Sequence, residues 1–199
     1  MKNQIREPQQ ERSIEKKNKI IQAGYELFSE VGYHGTNTVE IAKRAKVSTG
    51  IVYGYFQDKR DIMISVLHIY IDNAYLPVLE IMKDMGAQLD VETLVPKILD
   101  KTLEIHEKNA KLHNTLHSLA TTDETVNATF IALEDNITDN ISEQLKGNGL
   151  NLPYAKERVH LAMNIVQSFA HEYVFDKHPY IDYGAMRETV CKTIVNLFK

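Results

Sequence analysis

The chain has 199 residues, 43% of them hydrophobic, a formal net charge of −4 and one cysteine. That length accommodates two modest domains, and a single Cys excludes a disulfide framework within one chain and fits a reducing cytoplasm. The opening MKNQIREPQQERS lacks the apolar stretch of a secretory signal and no later run approaches 18 consecutive apolar residues, so neither export nor a membrane partner is expected. The periodicity is helical almost throughout and predicts an all-α chain of about nine helices. After a polar arm over residues 1–12, the first helix spans about Ser13 to Val31, with Ile20, Ala23, Gly24, Leu27, Phe28 and Val31 as its buried stripe and Gly32 as its stop. Asn37 caps a second helix starting at Thr38, and Glu40 stands three residues on, as in a capping box. Ile41, Ala42 and Ala45 share its inner face. A turn at Lys46-Val47 leads to Ser48, read as the cap of a third helix in which Ile51, Val52 and Phe56 face inward. Thr49, Gly50, Tyr53 and Tyr55 remain for a partner.

The fourth helix begins after Asp58, which with Asp61 can satisfy the first-turn N–H groups, and continues through Ile62, Val66, Ile69 and Tyr70. Pro77 is expected to bend or end it. A turn near Met85-Gly86 precedes helices over about Val91 to Lys108, Ala110 to Ala120 and Asp123 to Lys146, the last stopped by Gly147-Asn148-Gly149. The final two run over about Pro153 to Phe175, with Pro153 in the first turn, and Tyr183 to Phe198.

Two short helices joined by a tight turn, residues 37–56, spell a helix-turn-helix, whose partner is the major groove of double-stranded DNA. Charge agrees: residues 1–60 hold 11 Lys+Arg against 7 Asp+Glu, a balance of +4, whereas residues 61–199 hold 12 against 20, a balance of −8. The run KIIQAGYELFSEVGYHGTNTVEIAKRAKVSTGIVYGYFQDKRDI, residues 19–62, resembles the amino-terminal domain of the tetracycline-repressor (TetR) family. The landmarks are Leu27-Phe28, Gly32-Tyr33, Ile41-Ala42, Val47-Ser48, Tyr53, and Phe56 followed three residues later by Lys59. Lys46 departs from the pattern where the turn often has Gly and would have to bear a left-handed conformation. Val39 stands where a polar side chain often helps read bases, and Gly54 is a side-chain-free position within the recognition helix.

The resemblance implies a DNA-binding domain over residues 1–60 and a helical effector-binding and dimerisation domain over residues 61–199. It places Thr38, Tyr55 and Lys59 at phosphates and Thr49, Gly50 and Tyr53 at base edges, with Lys46 and Ser48 completing the DNA-facing set. Val159, Met163, Val166, Phe169, Ala170 and Tyr173 form one apolar stripe, and Val190 and Ile194 belong to another in the last helix. Both stripes read as intramolecular core or as a dimer interface. A two-fold operator favours the interface, because its two recognition helices must stand about 34–36 Å apart, and the resemblance implies a four-helix homodimer bundle. Tyr70, Tyr75, Met82, Leu103, His106, Leu116, His117, Phe130 and Phe169 read either as ordinary core or as the wall of a pocket for a small, partly apolar effector.

Catalytic constellations are not found. His113 and His117 have the i, i+4 spacing of metal ligands, but no Glu follows His113 and His106 lies beyond a helix break, so no metal site is expected. Cys191 reads as a small core residue, Glu134, Asp135 and Asp139 as a solvated face, and Gly147-Asn148-Gly149 as a helix stop without a phosphate-binding Lys-Ser/Thr. The expectation is a cytoplasmic, homodimeric repressor, not an enzyme, without a cofactor and released from DNA by a small molecule. A regulator controlled by a protein partner and a helical enzyme are the alternatives.

Overall fold

A computed structural model describes residues 11–84 and 90–199, where the helical periodicity becomes nine α-helices without a strand. They are α1 (Glu11–Gly35), α2 (Thr38–Arg44), α3 (Thr49–Tyr55), α4 (Lys59–Asp84), α5 (Val91–Lys108), α6 (Ala110–Ala120), α7 (Glu124–Gly147), α8 (Ala155–Phe175) and α9 (Tyr183–Leu197). The expected arm lies almost wholly, and the turn at Met85-Gly86 wholly, outside the described residues. The chain packs as two units. One holds everything described up to Ile71 together with Lys111–Phe130; the other holds Asp72–Ala110 and Ile131–Lys199. The division expected at residue 60 falls instead inside α4, at Ile71, and the first unit also takes in α6 and the start of α7.

In the first unit α1 crosses α4 at a glycine. A Cβ on Gly24 would lie 2.7 Å from Ile62 Cγ2 and 3.5 Å from Val66 Cγ2, so the two helices meet where α1 has no side chain. Ile20 and Phe28, one turn to either side, are fully buried, as are Ile62, Met63, Val66 and Leu67 of α4. This slab supports α2 and α3 through Ile41, Ala42, Ala45, Val52 and Phe56, all buried. Gly32 interrupts α1 at φ 81°, and Thr36 Oγ1 donates to its carbonyl at 2.9 Å. Val31, expected on the buried stripe, is 55% exposed, because the break at the next residue ends the face that the stripe follows.

The second unit is built from α5, α8 and α9, which pack pairwise. Val95 and Leu99 of α5 meet Ala162, Val166 and Phe169 of α8 and Val190, Cys191, Ile194 and Val195 of α9 in one core. Val159 packs with Met82, Leu94 and Leu145, partly covered by Met163. The stripe expected at a dimer interface is therefore this unit's own interior: Val159, Val166, Phe169, Ala170, Val190 and Ile194 are buried, with Met163 and Tyr173 packed against them. An apolar stripe says that a face is covered, not by what, and here α5 covers it.

Pro77 does not end its helix and Pro153 does not open one. Pro77 sits inside α4, which continues to Asp84. Pro153 precedes α8, whose cap position is Tyr154 in a left-handed conformation at φ 56°. The stretch Lys59–Lys83 is also long and apolar enough to cross a membrane, with mean hydropathy 1.5. A search for unbroken apolar runs misses it, because uncharged polar residues such as Ser65 and Asn73 interrupt the run while leaving the average high. Its fully buried Ile62, Met63, Val66 and Leu67 serve as core of the first unit.

Gly24→Ala tests the α1–α4 crossing. Alanine gains about 1 kcal/mol of helix propensity, but the new methyl overlaps a stiff β-branched neighbour, and overpacking of that kind costs about 1–3 kcal/mol. The expected outcome in urea denaturation is a net loss of up to about 2 kcal/mol, with an unchanged m-value.

Candidate nucleic-acid interface

Local hydrogen bonds start α2 and end it. Asn37 Oδ1 accepts from the Glu40 N–H at 2.9 Å, and at the other end the N–H groups of Lys46 and Val47 return to the carbonyls of Lys43 and Ala42. This turn is tight enough to force Lys46 to φ 56°, a left-handed conformation that costs a non-glycine residue roughly 1–2 kcal/mol. Ser48 occupies the cap position of α3, but its side chain makes no capping bond; its carbonyl accepts from Ile51 and Val52 instead. Its hydroxyl was expected to cap. The first-turn N–H groups of α3 are thus left without that side-chain acceptor.

Polar ties fix the pair on its slab. The Arg44 guanidinium, at the end of α2, reaches Glu26 Oε2 at 3.1 Å and both carboxylate oxygens of Glu30, holding the Glu30 carboxyl below its ordinary pKa. Tyr55 OH pairs with Ser13 Oγ at 2.7 Å and so joins α3 to α1. Lys59 Nζ donates to the carbonyls of Tyr33 at 2.6 Å and Thr36 at 2.8 Å and lies 4.1 Å from the centroid of the Tyr33 ring; burial pushes its pKa down. Both groups were expected at phosphates, and both have partners within the domain. The Tyr55 hydroxyl and the Lys59 ammonium are engaged inside the domain, closing α3 and the end of α1 respectively. Spacing along the chain does not reveal carbonyls more than twenty residues away.

What remains outward is a small surface. Thr38 Oγ1 and Tyr53 OH are 3.0 Å apart, which sets the start of α2 beside the middle of α3. Val39 is 62% and Tyr53 44% exposed. Ser48, Gly50 and Gly54 are exposed and Thr49 is half-buried. Lys43 and Lys46 are both exposed and enter no ion pair among the described residues. Lys43 was not singled out from the sequence; its place in the last turn of α2, next to the forced Lys46, is the signal that could have found it.

The same unit extends to α6 and α7. Arg60 holds Asp123 with a pair of hydrogen bonds, one of them Nη2 to Oδ1 at 2.7 Å, and Asp123 Oδ1 also caps α7 through the N–H groups of Thr125 and Val126. Arg60 first and the backbone donors second hold the Asp123 carboxyl well below the usual carboxylate range. The tie is therefore fully present above the unfolded carboxyl's pKa of about 4 and is lost as pH falls through the lowered folded value. Lys111 Nζ donates to the Glu30 carbonyl at 2.8 Å, and Tyr70 OH pairs with His113 Nδ1 at 2.7 Å.

The expected pocket liners divide between the two units. Tyr70, Leu116, His117 and Phe130 belong to the first, where Tyr70, Leu116 and Phe130 are buried and the His117 ring lies 5.1 Å from Phe130 and 4.3 Å from His113. Tyr75, Met82, Leu103, His106 and Phe169 belong to the second. His106 is 2% exposed and its Nδ1 lies 2.9 Å from the Thr102 carbonyl oxygen; burial lowers its pKa. Among the described residues no three His, Cys, Asp or Glu side chains gather as a metal site would require.

Known proteins resemble this domain in sequence. The sequence profile of the bacterial regulatory proteins, tetR family, matches residues 20–66, from the middle of α1 into α4. Residues 20–66 are thus similar to the DNA-binding domain of the TetR family. A curated relative, the HTH-type transcriptional regulator HbdR of Aromatoleum sp. (strain CIB), is 48% identical over 58 residues, or 29% of this chain and 25% of that protein. The match thus spans about a quarter of the relative's length. The whole fold is also found in solved structures. A regulator from Mesorhizobium loti MAFF303099 ascribed to the TetR family superposes with TM-score 0.76 at 17% identity, covering 94% of this chain and 97% of that one. The fatty acid degradation regulator FadR from Bacillus halodurans superposes at 0.65 with 21% identity, covering 90% and 94%.

Two substitutions separate the structural lysine from the strained one. Lys59→Met leaves two carbonyls without their charged donor and is expected to lower stability by about 1–3 kcal/mol. Lys46→Gly relieves the left-handed strain and is expected to raise it by up to about 1 kcal/mol, since glycine's larger unfolded-state entropy offsets part of the gain. Thermal melting followed by circular dichroism reads both.

Proposed function

We propose that this chain is a cytoplasmic TetR-family repressor that binds a two-fold DNA operator as a homodimer and is released by a small, partly apolar effector. The observation that carries the DNA reading is the outward face of α2 and α3, where Lys43 and Lys46 enter no ion pair among the described residues while Arg44, Lys59 and Arg60 are consumed by the domain's own ties. Phosphate contacts then come from Lys43, Lys46 and the Thr38 hydroxyl, and base contacts from Thr49, Gly50 and Tyr53. Dimerisation uses the outward faces of α8 and α9, because their inward faces are filled. Leu161, 48% exposed on α8, is an apolar residue on that outer face.

Release is a population shift: an effector favouring a form whose recognition helices no longer match successive major grooves lowers operator affinity by its differential affinity for the two forms. The chain crosses between its two units at Ile71, at Ala110 and at Phe130, within α4, between α5 and α6, and within α7. Through Arg60–Asp123, Lys111–Glu30 and Tyr70–His113, α6 and the start of α7 move with the recognition helix. A fatty-acyl compound heads the effector panel, since the Bacillus halodurans protein of the same fold regulates fatty acid degradation.

Fluorescence anisotropy on a selected operator tests this reading. Lys43→Ala is expected to lower the salt slope by about 0.9 for each phosphate that a subunit no longer neutralises, whereas Lys59→Met leaves the slope unchanged. Leu161→Glu should yield folded monomers in sedimentation velocity, while Phe169→Glu unfolds the chain by burying a charge. Asp123→Asn is expected to retain operator binding yet change the effector's effect on it, within a coupling free energy of about 1–3 kcal/mol. A wild-type chain that no compound in a broad panel releases would instead be a regulator controlled by a protein partner.

A further inference from the structure

The recognition helix α3, TGIVYGY, carries no Arg, Lys, Asn, Gln, Asp or Glu. Paired hydrogen bonds that single out guanine come from Arg or Lys and those that single out adenine from Asn or Gln, so α3 has no side chain of either kind. Two of its seven residues are glycines, Gly50 and Gly54, both exposed and one turn apart. Glycine within a helix costs about 1 kcal/mol relative to alanine. Nothing among the described residues requires either one: a Cβ at Gly54 would meet no atom within 4 Å, and at Gly50 only Ser48 Oγ at 3.9 Å. Neither residue has a positive φ. The space they leave opens outward.

Beside the Ser48 hydroxyl, the exposed face of this element carries apolar groups. Val39 of α2 is 62% exposed and Tyr53 of α3 44%, Thr49 is half-buried, and the 3.0 Å contact of Thr38 with Tyr53 sets the start of α2 beside α3. Of the charged groups on the same two-helix element, Lys43 and Lys46 sit at the end of α2 and in the turn, Arg44 is held by Glu26 and Glu30, and Glu40 is exposed in the first turn of α2. A surface of this kind fits a polyanion whose groove floor offers methyl groups. In duplex DNA that group is the C5-methyl of thymine, which projects into the major groove and takes apolar contacts.

Resting on the DNA-binding reading above, we propose that α3 lies with its backbone close against the floor of the major groove through Gly50 and Gly54, and that Val39, Thr49 and Tyr53 select operators by their thymine methyls. Guanine and adenine edges are not read from α3 by paired hydrogen bonds. The lysines supply backbone attraction without sequence information.

The test begins with the full chain and a pool of duplexes with a randomised core. Operators enriched from that pool are remade with deoxyuridine in place of thymidine, which removes only the methyl, and affinity is measured by anisotropy at fixed salt. The expected result is a loss of about fourfold for each contacted methyl removed, the value for one buried methyl group. Gly50→Ala and Gly54→Ala are expected to melt at or above the wild-type temperature, yet to bind the enriched operator at least about tenfold more weakly, because the added Cβ meets DNA rather than protein. Enriched operators that bind equally well with deoxyuridine would overturn the thymine reading. Alanine variants that bind like wild type would overturn the close approach. A pool in which no duplex is enriched would remove the DNA-binding reading itself, and with it this proposal.

Discussion

Seven-residue helices do not persist alone in water, since nucleation costs more than so few hydrogen bonds return. Both α2 and α3 have that length, so their geometry is set by what lies beneath them: the crossing of α1 over α4 at Gly24. With no side chain on α1 at that point, Ile62 comes to 2.7 Å from the position a Cβ would take, and the layer of Ile20, Phe28, Ile62, Met63 and Val66 closes without a gap for water. The apolar undersides of α2 and α3 rest on that layer, and Arg44 and Tyr55 fix their rotation on it. Displacement of α4 against α1 would therefore be felt at α3 before any side chain on α3 changed its own contacts.

The first unit is larger than the helix-turn-helix domain that the sequence suggests. Asp123 faces two ways, capping α7 and holding Arg60 of α4, and Lys111 returns from α6 to the carbonyl of Glu30 just before α1 breaks. These contacts span 63 and 81 residues of chain. They give α4 companions: a signal carried along its axis reaches a body that α6 and α7 also hold.

The helix-forming signals were local and therefore legible. Asn37 before Thr38, Asp58 with Asp61, the Lys108-Asn109-Ala110 break and the Gly147-Asn148-Gly149 stop each act on groups within a few residues, and each sits where its spacing implied. The left-handed Lys46 was legible for the same reason, as a turn that wants glycine and does not have it. Less legible is what a distant partner decides. Lys59 looked outward because the Tyr33 and Thr36 carbonyls are invisible in its neighbourhood, and α8 looked like an interface because its stripe does not say that α5 fills it. Pro77, read as a bend or an end, does not end its helix: the loss of one backbone donor does not stop a helix as long as α4.

The weak start of α3 has a dynamic consequence. Its cap side chain makes no bond, two of its seven residues are glycine, and only Val52 among them is fully buried. Amide protons of such a segment open with far less free energy than those of the α1–α4 slab below, so in deuterated solvent the backbone of Gly50 to Gly54 should exchange early while Phe28 and Ile62 remain protected. A helix so easily unwound is completed by whatever it lies against, and part of any association energy is spent on ordering it. Association should accordingly show a heat-capacity change larger than the buried contact surface alone would produce.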